Sequence, residues 1–446
     1  MLSGYSAAAM VRTPWGRASE LREQKLPPGH GRSAAEVELN QRRRIFGAMV
    51  AAVEQKGYQA TTIEDLVAIS GISRRTFYQQ FRSKEECFCA VIAAVLRGGG
   101  VRFAEALRGP GEWPERARGA LGALVGAGTE EPAAARLALV ESYLAGFGAR
   151  DVLTREVGVA GELWAGELEG PEAAELGAAV LGTTQHVIYR RLGGRGRKPR
   201  LEGLTEQLGE WALRLQPPPA PLTRPGFRRR AARPSGSLAG HMAPERIVRG
   251  LAAAVAERGY GPTKIADIAA AAGVSKVTFY QHFASKEDAF FAALDSSGAQ
   301  MVAATLPALR RASEWTDSVR TALEAVLSFL AFEPGFALLR GVEAYAVGPT
   351  AIAERDRTWE EILDVVVSRV GGGGQLSGWQ KEAMIATIDA VIYDRLRSTG
   401  PAALPAALPL LAYLVLCPLL GRERAYEVAR GGRGASSSSR AASGPK

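Results

Sequence analysis

The sequence predicts a helical protein in which one folding unit is used twice. Shifting the chain by 202 positions lays residues 57–88 on residues 259–290 without a gap, and 17 of those 32 pairs are identical. Each copy also places apolar residues at helical spacing. Ile45, Met49, Ala52 and Val53 fall at i, i+4, i+7 and i+8, and Ile247, Leu251, Ala254 and Val255 repeat the pattern. The offset holds downstream, pairing Trp113 with Trp315, Pro132 with Pro334, Glu141 with Glu343 and Tyr143 with Tyr345. It becomes 204 near the end of each copy, where Val187, Ile188 and Tyr189 face Val391, Ile392 and Tyr393. A unit of about 200 residues far exceeds a solenoid repeat, so each copy is expected to be a domain with its own core.

Composition agrees with two soluble domains. The 446 residues are 47% hydrophobic and 23% charged, enough to bury sizeable cores, and a net charge of +9 permits a polyanionic partner. Residues 216–243 hold five arginines, six prolines and no acid, a composition that favours an extended linker and carries +5 of the total. Three cysteines form no even framework, and the N-terminus lacks the apolar core of a signal peptide, which points to the cytoplasm. The apolar stretch 404–420 is short for a membrane span and contains Pro405, Pro409 and Pro418, so it reads as a buried interface helix. These signals divide the chain into a disordered arm (1–33), head 1 (34–90), body 1 (91–215), the linker (216–243), head 2 (244–292), body 2 (293–430) and a disordered tail (431–446).

Each head reads as three helices. The first closes at Gly57 or Gly259, and the second copy begins with Pro244 in its first turn. Thr61 with Glu64 has capping-box spacing ahead of a short helix carrying Ile63, Leu66 and Val67, and Thr263 is placed to cap its counterpart. Tight turns at Gly71 and Gly273 lead to Ser73 and Ser275, which can cap a third helix. Helix, glycine turn, helix is helix-turn-helix spacing. The third helix then presents Arg74, Arg75, Thr76 and Gln79 in one copy and Lys276, Val277, Thr278 and Gln281 in the other. Arg and Lys suit guanine, Gln suits adenine, Thr suits a phosphate or base edge, and the Val methyls suit thymine.

The runs Thr76–Glu85 and Thr278–Glu287 resemble the N-terminal DNA-binding domain of the TetR family of transcriptional regulators. The resemblance implies an all-α fold of about nine helices per unit: a three-helix head and a helical body holding a ligand pocket and a dimer interface. It implies that Thr76, Tyr78, Lys84, Thr278, Tyr280 and Lys286 hold phosphates, and that Arg74, Arg75, Lys276 and Val277 face bases. Gln79 and Gln281 join the base-reading set. The caps Thr61, Ser73, Thr263 and Ser275 join the phosphate set. Family members normally carry one unit per chain and dimerise. Two fused units can form that pair within one chain, since a 28-residue linker can extend to roughly 90 Å. A further pairing of fused chains stays open.

The expected partners are a double-stranded DNA operator and a small-molecule effector, with repression relieved by the effector and no membrane. Trp113, Tyr143, Trp164, His186, Trp315 and Tyr345 are candidate pocket residues, with core packing as the competing reading of each. Glu141 and Glu343 fit a salt bridge or a ligand contact equally. The Cys87-x-Cys89 pair lacks a nearby His or third Cys, so no metal or cofactor is expected. No phosphate loop, nucleophile elbow or His-Glu-x-x-His motif is present, which argues against an enzyme. The competing reading is a ligand-binding or adaptor protein that kept the fold and lost specific DNA binding.

Overall fold

The computed structural model describes residues 11–26, 33–222, 242–309, 314–368 and 376–431. It is all-α apart from one two-stranded hairpin, β1 (Arg12–Thr13) with β2 (Gly16–Arg17). The first unit runs through α1 (Ala34–Ala60), α2 (Ile63–Ser70), α3 (Arg74–Gln80), α4 (Lys84–Leu107), α5 (Trp113–Glu130), α6 (Pro132–Arg136), a π-helical turn (Leu137–Glu141), α7 (Ser142–Ala145), α8 (Phe147–Ala165), α9 (Ala173–Leu192) and α10 (Leu204–Arg214). The second repeats the order with α11 (Ala243–Arg258), α12 (Ile265–Ala272), α13 (Lys276–His282), α14 (Lys286–Leu309), α15 (Trp315–Phe332), α16 (Pro334–Leu338), a π-helical turn (Leu339–Glu343), α17 (Ala344–Val347), α18 (Pro349–Ser368), α19 (Gly378–Ser398) and α20 (Leu408–Leu420). It then adds α21 (Arg422–Ala429).

The heads form as their spacing requires. Ile45, Met49, Ala52 and Val53 are at most 1% exposed. The chain turns at Gly57 (φ +78°) and at Gly259 (φ +80°), a backbone that a Cβ would strain. One difference concerns the caps. Thr62, not Thr61, opens α2, accepting from the Asp65 amide while Asp65 returns to the Thr62 amide. Lys264 holds the same place before α12. Thr61 and Thr263 point inward, 1% and 2% exposed, and donate to the Gly57 and Gly259 carbonyls.

The expected disordered arm is corrected for residues 11–26. Leu21 is fully buried beside Gly47, Trp15 stacks edge-on against Phe46 at 5.1 Å, and Asn40 donates to the Gln24 carbonyl. Burying this apolar surface offsets the entropy of ordering the arm. The start of the linker is ordered as well: Leu222 is buried, and Arg422 donates to the Pro217 carbonyl at 2.7 Å. The rest of the linker (223–241) and the tail from 432 lie outside the described residues.

The two bodies pack face to face. Residues related by the repeat meet each other: Tyr143 stacks on Tyr345 at 4.6 Å, and Thr183 hydrogen-bonds Thr387 at 3.2 Å. Such self-matching contacts mark a local two-fold axis, as in an isologous interface. Around them, α9 crosses α19 and α7 meets α17. The expectation of two separate cores is therefore corrected. One continuous apolar cluster runs through both bodies and into head 2, while head 1 shares a second with the adjoining residues Ala133, Ala134, Leu137, Ala138 and Ala149 of body 1.

Most polar contacts across this interface have no mirror copy. Arg150 forks over Glu343 at 2.8 and 3.4 Å, Arg191 over Glu382, and Arg190 reaches Asp356 at 3.2 Å. At the repeat positions of Arg150, Arg191 and Arg190 stand Ile352, Arg395 and Asp394. The apolar α20 has Leu411, Leu414, Leu416 and Cys417 fully covered and meets the first unit through α10, where Tyr413 donates to the Gln216 carbonyl. By length and composition, Lys84–Leu107 and Pro401–Leu420 could each cross a membrane, and the second of these is mostly buried inside the protein.

Arg150 and Glu343 are 3% and 4% exposed, so Glu343→Ala leaves a buried guanidinium without its carboxylate. The expected cost is about 3–5 kcal/mol, read as a lowered urea midpoint. A midpoint unchanged from that of the parent chain would show that the pair does not hold the units together.

Candidate nucleic-acid interface and ligand cavity

Both heads present the third helix in the same way. Ser73 accepts from the Thr76 amide at 3.0 Å and Ser275 from the Thr278 amide at 3.0 Å, so both serines are the expected caps. Phe77 and Phe279 anchor the inner face with no exposure. Tyr78 and Tyr280 stand edge-on against them at 5.5 Å in both copies and are 49% and 57% exposed. Arg75, Gln79, Lys276, Val277 and Gln281 are exposed, and Thr76 and Thr278 are half-buried at the helix start. Arg74 is exposed but paired with Glu64 at 2.8 Å, so it must exchange that partner to reach a base.

Four of the expected phosphate contacts are placed elsewhere. Thr61 and Thr263 are buried with satisfied hydroxyls and present no surface to a phosphate. Lys84 donates to the carbonyls of Tyr58 and Thr61 at 2.9 and 2.8 Å, and Lys286 to those of Tyr260 and Thr263 at 2.7 and 3.0 Å. Each ammonium also lies over a tyrosine ring, at 4.3 Å for Tyr58 and 4.1 Å for Tyr260. Burial lowers the pKa of both lysines. Their work here is to tie the end of the first head helix to the helix that follows the recognition helix.

That tie continues into the body. Glu141 and Glu343, at the ends of the π-helical turns, accept the backbone N–H of Tyr58 and Tyr260 at 2.9 and 2.7 Å. These glutamates join other head-to-body contacts, such as Arg136 with Glu54 in unit 1 and Arg249 with Glu333 in unit 2, and π turns of this kind often mark functional positions. The second oxygen of Glu141 is held by Arg195 of its own unit, whereas Glu343 is held by Arg150 of the other unit. Arg44 and Arg246 add a lock in each head, donating to the Ser70 carbonyl at 3.0 Å and the Ala272 carbonyl at 3.1 Å.

Body 1 contains a cavity of about 430 Å3 between α4, α5, α8 and α9, within the range of small-molecule sites. Its walls are mostly apolar and small, among them Gly98, Gly99, Gly100, Ala134 and Ala138, and the hairpin residues Arg12 and Pro14 close one end. None of the six aromatic or imidazole candidates lines it. Trp113 and Trp164 pack on each other at 5.0 Å, and Trp315 packs against the core. Tyr143, His186 and Tyr345 line a smaller space of about 180 Å3 between the units. The missed signal was compositional: three consecutive glycines inside a helix where the second copy has Gln300, Met301 and Val302.

His186, Asp356 and Asp389 bring possible metal-ligand atoms within 4.8 Å of one another. The carboxylates are already engaged by cations: Arg355 contacts both, and Arg190 contacts Asp356. Burial pushes the imidazole of His186 down to about 3, so it is neutral, and its Nδ1 shares a 2.6 Å hydrogen bond with the Tyr345 hydroxyl. The cluster is an ion network joining the units. Cys87 is fully buried and burial raises its thiol pKa, as expected of an inert filler.

Replacing Lys286 by Met removes a donor from two part-buried carbonyls and is expected to cost head 2 about 1–3 kcal/mol while leaving its recognition surface in place. Hydrogen exchange should show faster exchange in α11–α13 and unchanged exchange in α1–α3. Equal protection in both heads would refute the structural role.

The model described as "Bacterial regulatory proteins, tetR family" matches residues 46–91 and again residues 247–293. The HTH-type transcriptional activator FasR of Mycolicibacterium smegmatis is 28% identical over 141 residues, 32% of this chain and 64% of that protein. The chain thus spans a little under two thirds of this relative's length. Two solved structures are similar at 18% identity. The fatty acid degradation regulator FadR of Bacillus halodurans is covered to 97% by 41% of this chain, with a TM-score of 0.35. The regulator FadR of Bacillus subtilis, in complex with stearoyl-CoA, is covered to 98% by 40%, with a TM-score of 0.34. The DNA-binding domain of the tetR family of bacterial regulatory proteins is thus recognised in both heads, and the chain carries it twice in tandem.

Proposed function

We propose that this protein is a sequence-specific DNA-binding transcriptional regulator that works as a single-chain pseudo-dimer inside the cell. The observation that carries the reading is the pair of recognition helices: the same caps and anchors, with exposed Arg74, Arg75 and Gln79 on one and Lys276, Val277 and Gln281 on the other. Tyr78, Tyr280, Thr76, Thr278 and the cap serines supply the phosphate contacts, with Lys84 and Lys286 positioning them from behind. Because the readers differ, the operator is an imperfect palindrome.

The effector is a small molecule taken up in the body, and its binding shifts the heads between two arrangements through the glutamate-to-head contacts. Repression relieved by the effector is the mode we favour. The similar FasR protein is named an activator, so a reporter carrying the operator is needed to give the sign.

Selection of bound sites from random DNA, followed by the mass of the complex, tests this reading. One chain on two unlike half-sites is expected. Arg75→Ala should relax preference in one half-site by about 1–3 kcal/mol and leave the other unchanged. No enrichment over random DNA would move the function to the ligand-binding or adaptor reading, and two identical half-sites would refute the division of labour between the heads.

A further inference from the structure

The two bodies share a plan but not an interior. The cavity wall of body 1 can be compared with body 2 residue by residue through the repeat. Gly99 on α4 corresponds to Met301 on α14, which is 1% exposed. Gly128 on α5 corresponds to Leu330, and Ala134 on α6 to Phe336, both buried. Val157 on α8 becomes Trp359, and Thr184 on α9 becomes Ile388. These exchanges add volume where body 1 is hollow; Leu96 and Leu139 become Gly298 and Gly341, but Thr358 and Arg340 close on the first glycine and Leu396 and Ile392 on the second.

The remaining space follows the substitutions. Among the described residues, the corresponding part of body 2, bounded by Val326, Trp359, Ile362 and Ile388 among others, holds a cavity of about 20 Å3, against about 430 Å3 in body 1. A polar network reinforces the filled body. Arg340, at the position of Ala138, is buried and donates to the Leu294 carbonyl, Ser297 and the Arg355 carbonyl, and Trp359 donates to Asp389 at 3.2 Å. Side chains held by such bonds cannot rotate aside to readmit a ligand without leaving buried polar groups unpaired.

In body 1 the opposite holds. A Cβ built at Gly98 or Gly100 would meet no atom within 4 Å. Glu131 stands at the arm-side end with one oxygen 3.4 Å from Arg12 and the other buried without a hydrogen-bond partner. A ligand with an apolar body and a hydrogen-bond donor matches these walls and that oxygen.

We propose that the chain is a one-site sensor: body 1 takes a single apolar, donor-bearing small molecule, and body 2 is permanently packed, so that one ligand governs both heads. This rests on the effector reading above. It differs from a pair of equal units, which would bind two molecules per pair of heads.

The test uses the full chain and the uncharged probe N-phenyl-1-naphthylamine, which is apolar and carries one N–H. Calorimetry and fluorescence titration should give one site per chain. Ala134→Phe with Val157→Trp, which copies the filling residues of body 2 into body 1, should weaken binding at least tenfold. Gly99→Met serves as a milder filling change if a thermal melt shows the double variant unfolded. Two sites per chain, undiminished binding by the folded filled variant, or no binding by the parent chain would each overturn the proposal. DNA affinity with and without saturating probe separates the two readings. One-site binding that leaves DNA affinity unchanged would sink the effector reading and leave the one-site assignment standing.

Discussion

The structure depends on a constraint of symmetry. Where a two-fold axis passes through a duplicated chain, a residue meets its own counterpart, so both copies must tolerate the same side chain against itself. Tyr143 against Tyr345 and Thr183 against Thr387 meet that condition by stacking and by sharing a hydroxyl hydrogen bond. Away from the axis no such demand exists. There the two halves have diverged, and buried and part-buried charge is distributed unequally: Arg150, Arg190 and Arg191 come from the first unit, while Glu343, Asp356 and Glu382 come from the second, with Arg397 and Asp151 pairing in the opposite sense at the surface. Fusion removes the requirement that every interface mutation work twice, and an ion network without mirror copies is its physical result.

The heads were legible in sequence because their geometry is narrow. Gly57 and Gly71 sit at positive φ in the structure, Phe77 is fully buried, and Ser73 caps the Thr76 amide. The cap of α2 was misplaced by one residue because Thr61 and Thr62 are chemically alike, and a buried hydroxyl donating to Gly57 is invisible in a spacing rule. The resemblance implies a phosphate contact for Lys84, yet its ammonium is drawn to three backbone carbonyls at the end of α1.

The bodies were far less legible, for a reason of packing. A cavity is made by what is missing, so its walls are glycines and alanines, which carry no chemical flag. Aromatic residues attract attention as ligand contacts, but Trp113 and Trp164 are large because they fill space. The repeat itself held the needed contrast, since each copy serves as the other's control. Small residues facing large ones across the offset mark a difference in interior volume that neither copy reveals alone.

Residues 216–222 lie along α20 and α21, and the backbone from there leads into the second head. A pair built from separate chains thins out with the square of chain number once the chains fall below their dissociation constant. Units on one backbone face each other at an effective concentration in the millimolar range, whatever the cell contains. The proportion of chains whose two bodies are paired therefore does not depend on how many polypeptides are present. Dilution by growth changes how many chains a cell holds but not how the two units within each chain face one another.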